Sequence, residues 1–306
     1  MNGVLNTLKP PGMTSHDVVK VVRKITGQKK AGHTGTLDPG AAGVLPVCLG
    51  RATRIIQYMQ SDKRYRVEVT FGISTSTQDA FGEVVETGDT AGLTPGKVEQ
   101  CLASMQGRQQ QVPPMTSAVR YRGKRLYELA RAGIKVVKEP RPVQIHAINL
   151  VDFYYGASGL PKALLDIHCS AGTYIRTICH DLGKKLGCGA FMSFLLRTGA
   201  GIFSLEKTVT LEQLKVLQEK EALNRAVITM SEALAHLTPV FVEGAAVGAI
   251  RSGKRVILPA YTVGKHLSAN QMVRLEGPAG LIALAVAMYI KNSPDHLAFQ
   301  PVKVLV

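Results

Sequence analysis

Strand-like and helix-like patterns interleave in this chain without a regular β-α-β alternation, which argues for an α+β layout rather than a doubly wound parallel sheet. From Arg64 to Val69, Tyr65, Val67 and Val69 alternate with Arg64, Arg66 and Glu68, the pattern of a half-buried strand. Further strands are predicted from Gln144 to Tyr155, Lys162 to Cys169 and Ala190 to Leu196. Helices are predicted at Val18, Val19, Val22 and Ile25, capped by Thr14 or Ser15 and closed by Gly27, and from Arg51 to Gln60, with Ile55, Ile56 and Met59 on one face. Two more follow, one from Thr94-Pro95 to about Met105 and one from Thr173 to Leu186. After Leu237 the character changes to short apolar strands with turns at Ser252-Gly253, Glu276-Gly277 and Ser293-Pro294, the apolar run Leu281 to Ile290 reading as a buried strand. Two domains are expected, residues 1–236 and a small β-rich domain, residues 237–306.

A chain of 306 residues with 45% hydrophobic content can bury a substantial core, and its net charge of +15 suits a polyanionic partner. The charge is not spread evenly. Between Arg108 and Arg141 lie nine basic residues (Arg108, Arg120, Arg122, Lys124, Arg125, Arg131, Lys135, Lys138, Arg141) against Glu128 and Glu139, a net of +7. The segment opens with Val112-Pro113-Pro114, closes near Pro140 and Pro142, and reads as an inserted loop with its own helix around Leu126 to Ala132. Nucleic acid is the first candidate partner. The C-terminal segment carries seven basic and three acidic residues, a modest +4.

The five cysteines, Cys48, Cys101, Cys169, Cys179 and Cys188, include no C-x-x-C pair and fit a reducing compartment. The N-terminus lacks the long apolar stretch of a signal peptide, and no run is long enough to span a bilayer, so a cytoplasmic protein without membrane contact is expected. Gly35 and Gly40 have the spacing that opens a P-loop, but Ala41-Ala42 stand where Lys and Ser/Thr would follow. There is no G-x-G-x-x-G after a strand, no H-E-x-x-H and no histidine at zinc spacing from a cysteine, so neither cofactor nor metal is demanded.

What remains is Ala31 to Pro46, AGHTGTLDPGAAGVLP, where Asp38 is the one acid, with His33, Thr34 and Thr36 beside it. An aspartate before proline is ordinary turn chemistry. A single carboxylate held in a cleft is equally a nucleophile awaiting a substrate.

The stretch GHTGTLDPGAAGVLP resembles the catalytic motif of the bacterial tRNA pseudouridine-55 synthases, the TruB family. The resemblance extends in order through Leu8 to Ser15 (LKPPGMTS), Lys63-Arg64-Tyr65, Cys169 to Thr177 (CSAGTYIRT), Leu195-Leu196-Arg197-Thr198 and the closing Phe299 to Val304, which looks like the last strand of a PUA RNA-binding domain. It implies a pseudouridine synthase fold with a mixed, largely antiparallel central sheet, followed by the PUA-like domain. It implies that Asp38 is the nucleophile of a cofactor-free isomerisation that detaches a uracil, turns it and rejoins it through carbon. Asp38 would attack the base or the sugar carbon, or stabilise a glycal-like intermediate. Arg176 would favour its ionised form. Tyr65 would stack on the base and help move its proton, Tyr174 would form a second pocket tyrosine, and Leu195 an apolar wall. His33 would fill the space that the flipped base leaves, and Lys9 would contact backbone or brace the loop. The basic segment would grip the T-arm of tRNA and the C-terminal domain its acceptor end, in a monomer. Ala42 and Ala171 depart from the residues common in relatives, Thr or Ser and Lys.

Two other readings share these motifs. One is a non-catalytic RNA-binding or tRNA-folding protein on the same scaffold. The other is a guide-RNA-dependent pseudouridine synthase subunit.

Overall fold

The computed structural model describes residues 1–117, 119–134, 136–259, 267–290 and 295–305. The N-terminal part runs through strand β1 (Gly3–Lys9), helix α1 (Ser15–Thr26), β2 (Ala31–His33), β3 (Ala42–Leu49), β4 (Lys63–Phe71), β5 (Ile73–Thr75), β6 (Val84–Thr87), α2 (Pro95–Met105) and β7 (Gly107–Gln111). The short hairpin β8 (Arg120–Tyr121) and β9 (Lys124–Arg125) with helix α3 (Leu126–Arg131) precedes β10 (Arg141–Tyr155) and β11 (Pro161–Cys169). Then come α4 (Ile175–Lys185), β12 (Ala190–Ala200), β13 (Phe203–Ser204), α5 (Leu211–Glu219), β14 (Val227–Ile228) and α6 (Met230–Ala233). The last part holds β15 (Thr238–Phe241), α7 (Ala245–Arg251), β16 (Val256–Pro259), β17 (Met272–Gly277), β18 (Gly280–Tyr289) and β19 (His296–Val304).

Among the described residues, ten strands form one mixed sheet in the order β14-β1-β3-β12-β4-β11-β10-β7, with β2 on β3 and β13 on β12. Every pairing within it is antiparallel except β3 with β12, where Ala42 and Gly43 run parallel to Leu196 and Arg197. The alternation read at 64–69 sets the face. Tyr65, Val67 and Val69 of β4 pack with Leu165 and Ile167 of β11, Leu195 of β12, and Leu102 and Ile178 from α2 and α4. The opposite face carries Arg66 paired with Asp166, and Glu68 with Lys162.

Local signals hold helix α1. Thr14 and Asp17 form a reciprocal capping box, and Gly27 closes the helix in the left-handed conformation. Such a cap contributes about 1 kcal/mol. Its apolar stripe, Val18, Val19 and Val22, is buried against Leu45, Val47 and Leu49 of β3 and Leu214 of α5.

Two expectations need correction. Arg51 to Gln60 is not an α-helix but two 3₁₀ turns, Gly50–Arg54 and Ile56–Tyr58. Its fully buried positions, Ala52 and Ile55, are three apart, and the Ile55 and Tyr58 amides bond carbonyls three residues back, so each turn closes at the tighter period. The basic segment is also shorter as a loop than its charge suggested. Arg108 lies in β7 and Arg141 opens β10, and the two strands pair from Arg141–Gln111 to Ile145–Gly107. The insertion proper therefore spans about 112–140, with Lys135 and the side chains of Arg120, Arg125 and Arg131 outside the described residues.

A separate small β domain follows, a five-stranded sheet in the order β15-β17-β18-β19-β16 with its own core of Val240, Leu275, Ile282 and Phe299. The expected turn at Ser293-Pro294 lies outside the described residues. This sheet does not hang free. Leu281, Leu284 and Leu305 share a cluster with Val4, Val44, Ala52 and Leu234, and Arg274 reaches across to the Ser231 carbonyl.

Candidate active site

Asp38 sits between β2 and β3 in a loop fixed through its backbone. The ammonium of Lys9, fully buried at the end of β1, donates to the carbonyls of Pro10, Pro39 and Ala41 at 2.9, 3.1 and 2.7 Å. Ser15, at the start of α1, accepts from the Leu37 amide at 2.8 Å and donates to the Leu37 carbonyl at 3.1 Å. Gly12 donates its amide to Pro39, and the Ala41 amide closes a turn onto the Asp38 carbonyl. From the other side Arg197, buried in β12, donates to the carbonyls of Val44, Thr36 and Gly35. A buried guanidinium must find such partners, because each unsatisfied donor in the interior costs more than a made bond returns.

The carboxylate itself faces α4. Arg176 Nε lies 3.0 Å from Asp38 Oδ2 and Nη2 lies 3.3 Å from Oδ1. The Arg176 side chain is 6% exposed and that of Asp38 36%, so the nucleophile candidate is half-buried with an edge toward solvent while its partner is sealed. Arg176 is also held by Asp79 (Nη1 to Oδ2, 3.4 Å), by the Thr77 and Thr116 carbonyls, and by the Thr116 hydroxyl.

Arg176 favours the ionised form of Asp38, as expected, but burial works against it. Burial pushes the Asp38 carboxyl above its ordinary value, and Asp79 adds to that push. Arg176 and Lys9 oppose it. Lys9 in turn is lowered to about 8 by its own burial.

Tyr65 is 8% exposed on β4, directly across from Arg197 in the β4–β12 register. Burial raises its phenol, which keeps it protonated. Leu195 lies on β12 opposite Val67, on the same buried face. Tyr174 is the residue before α4, and the Gln111 side chain clasps its backbone, accepting from its amide at 2.7 Å and donating to its carbonyl at 3.0 Å. His33 ends β2, and its Nδ1 accepts from the Gly35 amide at 3.2 Å, while burial lowers its pKa.

The structure thus brings Asp38, Arg176 and Lys9 into one network, with Tyr65 reaching it through Arg197. His33 is tied to the same loop at Gly35, and Tyr174 stands at the head of the helix that bears Arg176. Asp79, Thr116 and Arg197 had no assigned role in the sequence reading. A signal existed for Arg197, a charged residue two positions after Leu195 on the inward face of an apolar strand. Asp79 and Thr116 lie 41 and 78 positions beyond Asp38, in segments with no helical or strand pattern to orient them.

Among the described residues, Asp62, His146 and His168 form the group whose ligand atoms could meet on a metal ion, all within 4.8 Å of one another. It shares no residue with the Asp38 network. Among the same residues no helix is long and apolar enough to cross a membrane.

A mixed sheet with a small β domain, and one carboxylate pinned beside a buried arginine, are the features that the resemblance to the pseudouridine synthases implied. Family models place the chain within that class. The model described as TruB family pseudouridylate synthase (N terminal domain) matches residues 23–175, and that of the tRNA pseudouridylate synthase B C-terminal domain matches 176–235. The chain is 48% identical over 307 aligned residues to the tRNA pseudouridine synthase B of Pelotomaculum thermopropionicum, covering 100% of this chain and 97% of that protein. It is 59% identical over 215 residues to that of Symbiobacterium thermophilum, covering 70% and 71%. Among solved structures it is similar to a Cbf5-Nop10-Gar1 complex, at TM-score 0.74 and 29% identity over 99% of this chain and 85% of that one. The chain belongs to the TruB family of pseudouridylate synthases.

Proposed function

We propose that this chain converts the T-loop uridine of tRNA, position 55, to pseudouridine, with Asp38 as the nucleophile. The observation that carries this is the side-on pairing of Asp38 with Arg176 in a loop fixed through its main chain, in a chain whose curated relatives bear the name tRNA pseudouridine synthase B.

The reaction breaks the bond from the sugar C1′ to N1 of the base and makes one from C1′ to C5. The C5 proton leaves and N1 gains one, so atoms and electrons balance without water or a redox partner. Asp38 must be ionised to act. Arg176 pulls it toward that state, and displacement of water by a bound base strengthens the pair further. Tyr65 keeps its phenolic proton and offers a ring for stacking and a hydroxyl for proton movement. Leu195 and Tyr174 line the base pocket, and His33 fills the gap left in the RNA when the uridine is extruded, a step that costs a few kcal/mol. Lys9 holds the loop rather than the substrate, since its three carbonyl partners already occupy it. The insertion at about 112–140 grips the T-arm, and the five-stranded domain, read as PUA-like, meets the acceptor end. The protein acts as a cytoplasmic monomer.

The test is tritium release from a T-arm stem-loop labelled at uridine C5. Purified protein releases tritium; Asp38→Asn and Asp38→Ala do not, yet still bind tRNA. Activity retained in Asp38→Asn would sink the nucleophile assignment. A second reading has one observation in its favour, the likeness to a solved H/ACA RNP bound to a substrate RNA containing 2'-deoxyuridine, at TM-score 0.73 and 26% identity. On that reading the chain is a guide-RNA-dependent subunit, and the bare stem-loop would be inert.

A further inference from the structure

Phe81 is an apolar residue in the wrong place for the core. It is 80% exposed, on the loop between β5 and β6. That loop touches the active site twice. Asp79, two residues earlier, holds Arg176 through Oδ2 and accepts the Phe81 amide at its other oxygen, at 3.1 Å. The Phe81 ring then leans over Gly40, two residues beyond Asp38. A Cβ at Gly40 would collide with the ring at Cε2 and Cζ. The absence of a side chain at Gly40 is therefore what lets the ring reach the nucleophile loop. The segments 38–40 and 79–81 run side by side, clamped at one end by Arg176 and touching at the other through Phe81 and Gly40.

An exposed ring gains little from this contact, since most of its surface stays in water. A phenyl group held at a fixed place on the rim of a site that accepts an extruded base has a partner of matching chemistry. Every nucleobase has a flat π-face, and single-stranded RNA is bound by stacking such faces on aromatic side chains. Flipping one uridine out of a loop unstacks the bases on both of its sides, and a single ring such as His33 in the gap does not cover every face so freed.

We infer that Phe81 is a binding residue for RNA, stacking on the base immediately next to the flipped uridine. The inference rests on the RNA-substrate reading above and adds a second base subsite to it. The Phe81 ring reaches Gly40 and not the Asp38 carboxylate, so it acts on binding. Base–aromatic stacking is worth about five- to a hundredfold in affinity.

The experiment uses the full chain and T-arm stem-loops with 2-aminopurine at the position on either side of the target uridine, comparing wild type, Phe81→Tyr and Phe81→Leu. Leucine keeps apolar bulk over Gly40 but has no π-face. Quenching of one 2-aminopurine on binding is expected with wild type and Phe81→Tyr and is lost with Phe81→Leu. Phe81→Leu is also expected to raise KM by about five- to a hundredfold, far more than it lowers kcat. Wild-type affinity and full quenching in Phe81→Leu would overturn the inference. So would equal impairment of Phe81→Tyr and Phe81→Leu, which would make the ring a spacer for the Gly40 loop. Failure of the wild type to bind either stem-loop would overturn the RNA reading itself and this subsite with it.

Discussion

Arg176 meets Asp38 side-on, with Nε 3.0 Å from Oδ2 and Nη2 3.3 Å from Oδ1, while its remaining nitrogen turns to Asp79. Only a planar fork can hold two carboxylates and the Thr116 backbone at once. Arg176→Lys keeps the charge but loses the fork. We expect turnover to fall by about a hundredfold or more, and stability by about 1 to 2 kcal/mol, from the hydrogen bonds of the fork that an ammonium cannot replace. Single-turnover tritium release and urea unfolding check the two effects separately.

The pH profile carries the mark of Asp79. Burial and the Asp79 charge both raise Asp38, and an active nucleophile is ionised, so activity is lost as pH falls through a value above the ordinary carboxylate range. Asp79→Asn removes one of the two raising causes. The acid limb of the single-turnover rate is expected to move to lower pH in that variant, and an unmoved limb would contradict the coupling.

Two buried lysines should make stability rise with pH. Burial lowers both Lys9 and Lys63 from 10.5 to about 8. Above 8 the folded chain sheds these protons while the unfolded chain keeps them to 10.5, so folding gains as pH rises. The gain is about 1 kcal/mol per lysine between pH 7 and 9. Above pH 9 the rise should slow, because the buried thiols of Cys48 and Cys169, raised to about 12 and 11, ionise first in the unfolded chain. Urea unfolding of Lys9→Met at pH 7, 8 and 9 should show roughly half the wild-type rise, and lower stability throughout from three carbonyls left without a donor.

Gly43 stands where β3 runs parallel to β12, at φ +121°, and an added Cβ would strike the Arg197 backbone. Gly43→Ala combines an unfavourable backbone conformation with overpacking, and should cost about 3 kcal/mol or more. A shift in the urea midpoint of less than about 1 kcal/mol would show that the two strands can part.

The grip assigned to the basic insertion predicts a salt signature. Arg122 and Lys124 are exposed at the tip of the β8–β9 hairpin. Replacing both with Gln should lower the slope of log K against log salt for tRNA by about 1 to 2, reflecting two fewer phosphate contacts. An unchanged slope would remove that hairpin from the interface.

The parts of the fold set by local chemistry were legible in the sequence. The sequence offered Thr14 or Ser15 as the cap of α1 and Gly27 as its stop, and the structure takes Thr14 and Gly27, while the alternation from Arg64 to Val69 gives the buried face of β4. Periodicity misled at Arg51 to Gln60, because Ile55 and Met59 fit a helix while Ala52 and Ile55 fit a three-residue turn, and packing chose the latter. It also could not see that Arg108 and Arg141 close a strand pair, since charge alone does not reveal a sheet edge. At the site, Asp38 stood out as the one acid of its loop, while its role and that of Arg176 came from a family resemblance rather than from spacing. Asp79 could not be found that way, because its role depends on where a loop lands after the chain has folded.

The Asp38 loop is held almost wholly by contacts to its peptide groups. Lys9, Ser15, Gly12 and Arg197 meet the carbonyls or amides of Gly35, Thr36, Leu37, Pro39, Ala41 and Val44. Such anchors are blind to side-chain identity. Positions such as Thr34, Thr36 and Ala42 can therefore drift, Ala42 already standing where the family resemblance implies Thr or Ser, while the carboxylate two bonds from the same main chain keeps its address. The scaffold freezes where the acid sits and leaves the surrounding surface free to be rewritten for a different RNA.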